Sequence, residues 1–147
     1  MTGVQTCALP ICGYVLRFNL LSMIVGHEGG ATAVAFASDG KSLISVGVDK
    51  TGRQWDATTG KLIRTFAGSS GVLNCLALAR DGQQVIAGGA DKKVYVWQLP
   101  ADDTKAAAQV QPFASFTHPA SVRAIAASAD GGIIAVAGDD NLIRGRA

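Results

Sequence analysis

The chain is poor in the residues that usually announce chemistry. Its three cysteines, Cys7, Cys12 and Cys75, are too few for a disulfide framework and have no Cys/His metal spacing, so they fix no redox compartment. Cys75 lies inside an apolar run, where a lone thiol serves as a small apolar filler. Neither sign of charge dominates: the formal net charge is +2, with the charges interspersed. That balance argues against a phosphate-tracking surface, and no nucleic-acid partner is expected. The only adjacent basic pair, Lys92-Lys93, reads as a hairpin tip. The acidic pairs Asp102-Asp103 and Asp139-Asp140 lack the alternating oxygen ligands of a cation loop, so no metal is expected.

Two further absences narrow the class. Helical periodicity is not sustained; only residues 102–110 have the composition to wind a turn or two. Residues 8–25 imitate a signal or membrane segment but lack a basic n-region and carry Pro10, Arg17 and Asn19. No membrane partner is expected. Glycines cluster at 28–30, 68–71 and 88–89 without a following Lys-Ser/Thr or a long helix, so phosphate cradling is unsupported and no cofactor is expected.

What is present is a repeat. Asp39-Gly40, Asp81-Gly82 and Asp130-Gly131 each separate two short apolar runs. Asp-Gly suits a tight hairpin, because glycine tolerates positive φ and aspartate bonds its own backbone. About ten residues later comes a second aspartate, Asp49, Asp91 or Asp140, and the first two are followed by Trp55 and Trp97. The stride is close to the ~40–45 residues of a four-stranded propeller blade. A longer second stride fits one Ala- and Asp-rich insertion over residues 100–108, read as a surface loop. Residues 31–36 and 42–48 are almost continuously apolar, as in strands covered on both faces. Residues 51–55 and 93–97 mix polar with apolar, as on outer or half-exposed strands.

Gly26-His27, Ser38-Asp39-Gly40, Ser45-Val46-Gly47-Val48-Asp49 and Trp55-Asp56 together resemble the WD40 repeat. A second unit matches through Leu73, Leu76, Asp81-Gly82, Asp91 and Val94-Tyr95-Val96-Trp97. A third matches through His118, Val122, Ile125, Asp130-Gly131 and Asp140-Asn141-Leu142-Ile143-Arg144. The resemblance covers about residues 18–144. It implies an all-β fold: a partial β-propeller of about three four-stranded antiparallel blades, over 30–67, 71–117 and 120–147, with an outer strand at 15–25. In that family each repeat supplies the outer strand of one blade and three inner strands of the next.

His27, Ser45 and Asp49 could form a nucleophilic triad, with histidine as base and aspartate as its orienter. The resemblance implies instead a buried network in which Asp49 orients His27, the imidazole meets Ser45, and the hydroxyl reaches Trp55. The structural reading is favoured, because Ser45 lies mid-strand without an elbow or a glycine-lined oxyanion site. The same reading places Asp91 with Trp97, where Ser69 and Ala87 replace His and Ser. It also places His118 with Asp140, where Val136 replaces Ser. No catalytic residue is expected. A partner-binding rim is implied at Val48, Ala90 and Asp139, before each aspartate, and at Glu28, Ser70 and Pro119, after each histidine position.

Residues 1–12 have no repeat logic and resemble a translated sequencing-library adapter, so the propeller segment is expected over 13–147. After Ile143-Arg144 the pattern asks for an aliphatic residue, Trp and Asp, whereas the chain has Gly145-Arg146-Ala147. The expectation is an internal piece of a longer propeller, an open arc prone to self-association through its open blade edges. Its function is read as a non-catalytic scaffold for other proteins or peptides. The alternative is a regulatory or sensory propeller attached to a catalytic domain outside this stretch. A quinoprotein-type propeller enzyme is disfavoured because no cofactor-ligand cluster is visible.

Overall fold

The computed structural model describes residues 3–4, 17–18, 23–100 and 108–147. Its strands are β1 (Gly3–Val4), β2 (Arg17–Phe18), β3 (Ala31–Phe36), β4 (Ser42–Gly47), β5 (Gly52–Asp56), β6 (Leu62–Phe66), β7 (Leu73–Ala79), β8 (Gln84–Gly89), β9 (Lys93–Gln98), β10 (Ala108–Val110), β11 (Ala114–Thr117), β12 (Val122–Ala127), β13 (Ile134–Gly138) and β14 (Ile143–Arg146). The described residues contain no helix. The fold is all-β and propeller-like, with stacked sheets that do not close into a ring. Blade 1 is the meander β3-β4-β5-β6, blade 2 is β7-β8-β9-β11, and blade 3 is β12-β13-β14.

Turn chemistry sets the meanders. Gly40, Gly82 and Gly131 all have positive φ (66°, 81° and 71°), the conformation for which a missing Cβ is an advantage. The Asp39 carboxylate takes the Lys41 N–H at 2.8 Å, and Asp130 takes that of Gly132 at 2.9 Å. At the opposite end of each sheet the second aspartate does the same for the residue two further on. Asp49 takes the Thr51 N–H (3.2 Å), Asp91 that of Lys93 (3.2 Å) and Asp140 that of Leu142 (3.3 Å). The intervening Lys50, Lys92 and Asn141 are all left-handed, held there by these aspartate turns.

The core lies between blades. Ile44, Val46 and Phe66 of blade 1 meet Val85, Ala87, Tyr95 and Trp97 of blade 2. Cys75, Ile86, Val94 and Val96 on the other face of blade 2 meet Val122 and Val136 of blade 3. Partly buried Ala33 of one first strand and Leu76 and Leu78 of the next pack against the first of these clusters. Side-chain donors stitch the blades in the same register. Thr32 Oγ1 donates to the Leu73 carbonyl (2.5 Å), and Asn74 Nδ2 donates to that of Val122 (2.9 Å).

Several expectations need correction. β3 is not covered on both faces: Val34 and Phe36 are 66% and 63% exposed, because no described sheet packs on their side. Conversely, β5 and β9 are not half-exposed; Trp55, Val94, Tyr95, Val96 and Trp97 are buried. Their polar neighbours are tolerated because they are hydrogen-bonded, Gln54 to Ser42 and Tyr95 to Asp91. Ala108–Val110 is neither loop nor helical turn. It pairs parallel with β6, and the Val110 carbonyl accepts the Ala67 N–H at 3.0 Å. The open edge of β6 supplies the unpaired backbone groups that draw it in. The rest of the insertion, 101–107, lies outside the described residues. Of the outer strand expected at 15–25, Arg17–Phe18 is strand but pairs with Gly3–Val4, and residues 23–25 have no regular structure. Residues 15–16 and 19–22, and 1–2 and 5–12 of the first segment, lie outside the described residues.

Candidate functional site

The first unit brings His27, Ser45, Asp49 and Trp55 into one directed chain of hydrogen bonds. The Trp55 indole N–H donates to Ser45 Oγ at 2.8 Å, and the hydroxyl donates to His27 Nε2 at 2.7 Å. His27 Nδ1–H donates to the Asp49 carboxylate at 2.9 Å. Arg53 adds a bond to Asp49 at 3.1 Å. Burial raises the Asp49 pKa, but the bonds from His27 and Thr51 outweigh it and hold the carboxyl below its usual range. His27, Ser45 and Trp55 line a groove of 370 Å³ with Ile24, Val25 and Val34. Ser45 is itself only 6% exposed. It pairs with both Val34 and Arg53 in mid-sheet, away from the sharp strand-to-helix turn that exposes a catalytic serine.

The second unit, with Ser69 and Ala87 in place of His and Ser, is wired through other donors. Trp97 does not meet Asp91; its indole donates to the Ala67 carbonyl at 2.9 Å. Asp91 instead receives the hydroxyls of Tyr95 (2.6 Å) and Ser70 (2.7 Å). Burial again raises its pKa, and these bonds with Lys93 bring it below the ordinary value. Ser69, aligned with the missing histidine, bonds locally to the Gly71 carbonyl (2.7 Å). In the third unit His118 and Asp140 do not touch. Arg144 stands between them, donating to Asp140 and to His118 Nε2 (3.3 Å), while His118 Nδ1–H donates to the Ala120 carbonyl (3.0 Å). Among these, sequence reasoning missed Arg53, Tyr95 and Arg144. Each lies four residues after its aspartate, and that constant spacing was the available signal.

The rim positions gather at one end of the sheets. A backbone bond fastens each of its turns to the residue before a first strand: Val48 N–H to Gly30 (3.0 Å), Ala90 to Val72 (2.9 Å) and Asp139 to Ser121 (3.1 Å). Glu28, Val48, Ser70, Ala90, Pro119 and Asp139 are all exposed there. Arg123 forms a two-bond pair with Asp139 at 2.7 and 3.0 Å, which holds that carboxyl below its usual range. Among the described residues no cluster of three or more His, Cys, Asp or Glu could hold a metal ion. Burial pushes the Cys75 thiol up to about 11, leaving it protonated and inert.

The same three units are found by comparison with known proteins. The family model "WD domain, G-beta repeat" matches residues 18–56, 60–98 and 110–144. The chain belongs to the WD40 repeat family.

Its WD40 relatives include nuclear distribution protein PAC1-1 of Uncinocarpus reesii, 42% identical over 53 residues, a stretch covering 35% of this chain and 12% of that protein. Nuclear distribution protein PAC1 of Tuber melanosporum is 46% identical over 50 residues, covering 33% and 11%. A chain of the Chaetomium thermophilum polycomb repressive complex 2 superposes with a TM-score of 0.74 at 22% identity, covering 82% of this chain and 28% of that one. The Myceliophteria thermophila Cps50 (Swd1) beta-propeller domain does so with a TM-score of 0.67 at 23% identity, covering 81% and 36%. These likenesses show the propeller fold, and the chain spans a minor part of each relative. WD40 propellers are generally non-catalytic interaction modules, and their repeats are the ones found here.

Proposed function

We propose that the chain is a non-catalytic interaction module whose rim presents a surface to other proteins or peptides. The observation that carries this reading is the exposure of Glu28, Val48, Ser70, Ala90, Pro119 and Asp139 on turns pinned to rigid sheets. Fixed turns present a surface with little ordering cost on binding. The His27–Ser45–Asp49–Trp55 set serves as a structural strut under that rim. The hydroxyl of Ser45 is already committed to both Trp55 and His27. Exposed Val34, Phe36, Leu142 and Ile143 favour self-association of this chain as a second kind of contact.

The test is affinity capture with wild-type chain and with a Glu28→Arg, Asp139→Arg rim variant. Loss of the captured partners from the variant, with an unchanged melting curve, supports the rim. An unchanged capture set overturns it. Labelling of Ser45 by an active-serine probe, abolished by Ser45→Ala, would overturn the non-catalytic reading.

A further inference from the structure

A second surface lies at the other end of the sheets, where the Asp-Gly turns of blades 1 and 2 meet. They enclose a cleft of 430 Å³ lined by Asp39, Ser42, Gln54, Asp81 and Gln98, with Leu99 on its apolar wall. Ser38 ties its two sides together by donating to the Asp81 carbonyl. Gln54 is 4% exposed; its Nε2 donates to Ser42 Oγ at 3.0 Å, while its buried Oε1 has no hydrogen-bond partner. A buried carbonyl without a donor is costly and rare in a folded core. The cleft wall therefore offers acceptors in depth, an amide oxygen inside and two carboxylates outside. Asp39 Oδ1 is engaged by the Lys41 and Ser42 N–H groups, and the cleft lining includes no lysine or arginine.

We infer that this cleft receives the arginine side chain of a protein partner. A guanidinium carries five donors in a planar fork, enough to meet the carboxylates and, once the Gln54 carboxamide turns outward, its Oε1 as well. Its aliphatic stem lies along Leu99. The equivalent cleft between blades 2 and 3, of 560 Å³, makes the contrast. There Arg80 and Arg146 line the walls, and Gln84 Nε2 is bonded to Gln98 Oε1 at 3.4 Å. Position in the fold alone thus does not create an acceptor-rich cleft; these residues do. The inference rests on the interaction-module reading, because it names a partner contact for that module.

The probe is an N-acetylated, C-amidated pentapeptide with arginine flanked by alanines, against the same peptide with citrulline, titrated into the full chain. Binding is read by calorimetry and by the NMR signal of the Gln54 carboxamide. The arginine peptide should bind about tenfold tighter than citrulline, the scale of one charge-assisted hydrogen bond. It should move the Gln54 signal, and both Gln54→Met and Asp81→Asn should weaken it about fivefold or more. Asn tolerates the positive φ of position 81, so that variant keeps the turn. Equal affinity for citrulline, a stationary Gln54 signal, or indifference to both variants overturns the inference. Neither substitution touches the rim, so a blank cleft with intact rim-dependent capture removes the cleft alone.

Discussion

The hydroxyl of Tyr95 reaches Asp91 at 2.6 Å from four residues along the chain. Arg53 meets Asp49 at 3.1 Å, and Arg144 meets Asp140, from the same relative position. In each blade the residue that enters the third strand therefore secures the aspartate of the preceding turn. The aspartate is thus fixed twice, by its own turn backbone and by the strand it introduces. Three chemically different side chains perform one task.

Tyr95→Phe should destabilise the chain by about 1 kcal/mol, because a partly buried carboxylate loses its shortest donor. Arg53→Met should cost under about 1 kcal/mol, since that guanidinium is partly solvated and screened. Urea midpoints at constant m-value measure both. Equal costs would mean that the tyrosine bond contributes no more than a surface ion pair.

Asp49→Ala should cost about 2–4 kcal/mol by leaving a buried imidazole N–H unpaired. Trp55→Ala should cost a similar amount through the cavity it leaves. Asp91→Ala, expected from sequence to be the milder change, should approach Asp49→Ala, since Ser70 and Tyr95 both lose their acceptor. Denaturation of the three variants in parallel gives the ranking. A clearly smaller loss for Asp91→Ala would return that aspartate to a purely local turn role.

Acid should weaken the fold through the same aspartates. Burial pushes Asp49 and Asp91 upward, but hydrogen bonds from His27 and Thr51, and from Tyr95 and Ser70, prevail and leave both below 3.8. Carboxyls with depressed folded values stabilise the native state above the unfolded pKa of about 3.9. That contribution disappears as pH falls through the folded values. Melting temperature should be flat from neutrality to about pH 5 and should decline below about pH 4. An Asp49→Asn, Asp91→Asn double variant should start lower and decline less steeply. Parallel acid limbs would assign the effect to other carboxyls.

The open faces should make the chain self-associate. Ile143 is 80% exposed, and Val34 and Phe36 lie uncovered on the far side of the stack. Light scattering should register oligomers, and Phe36→Ser with Ile143→Thr should shift the population toward monomer. A wild-type chain that stays monomeric at high concentration would show these faces to be inert.

Much of the fold was legible because turn chemistry is local. Asp39-Gly40, Asp81-Gly82 and Asp130-Gly131 each carry in two adjacent residues what a tight turn needs, and three in register set the blade order. The aspartate supports were harder to see, because Arg53, Tyr95 and Arg144 share a position and no chemistry. With Ser69 and Ala87 in place of His and Ser, sequence left Asp91 short of partners, but Ser70, one residue on, and Tyr95 both donate to it. Exposure of β3 follows from what packs beside it, and that is a property of neighbours absent from its own pattern. The pairing of β10 joins residues far apart in sequence and leaves no periodic trace.

That pairing has a consequence for how a partner peptide can attach. With Ala108–Val110 laid along Leu62–Phe66, the outer edge of blade 1 is occupied by the chain itself. Among the described residues, the corresponding strand of blade 2, Ala114–Thr117, has a neighbour only on its inner side. An extended peptide seeking backbone hydrogen bonds would find the first edge taken and the second available. A tripeptide borrowed from the connection between the two blades thus gives their outer edges different backbone availability.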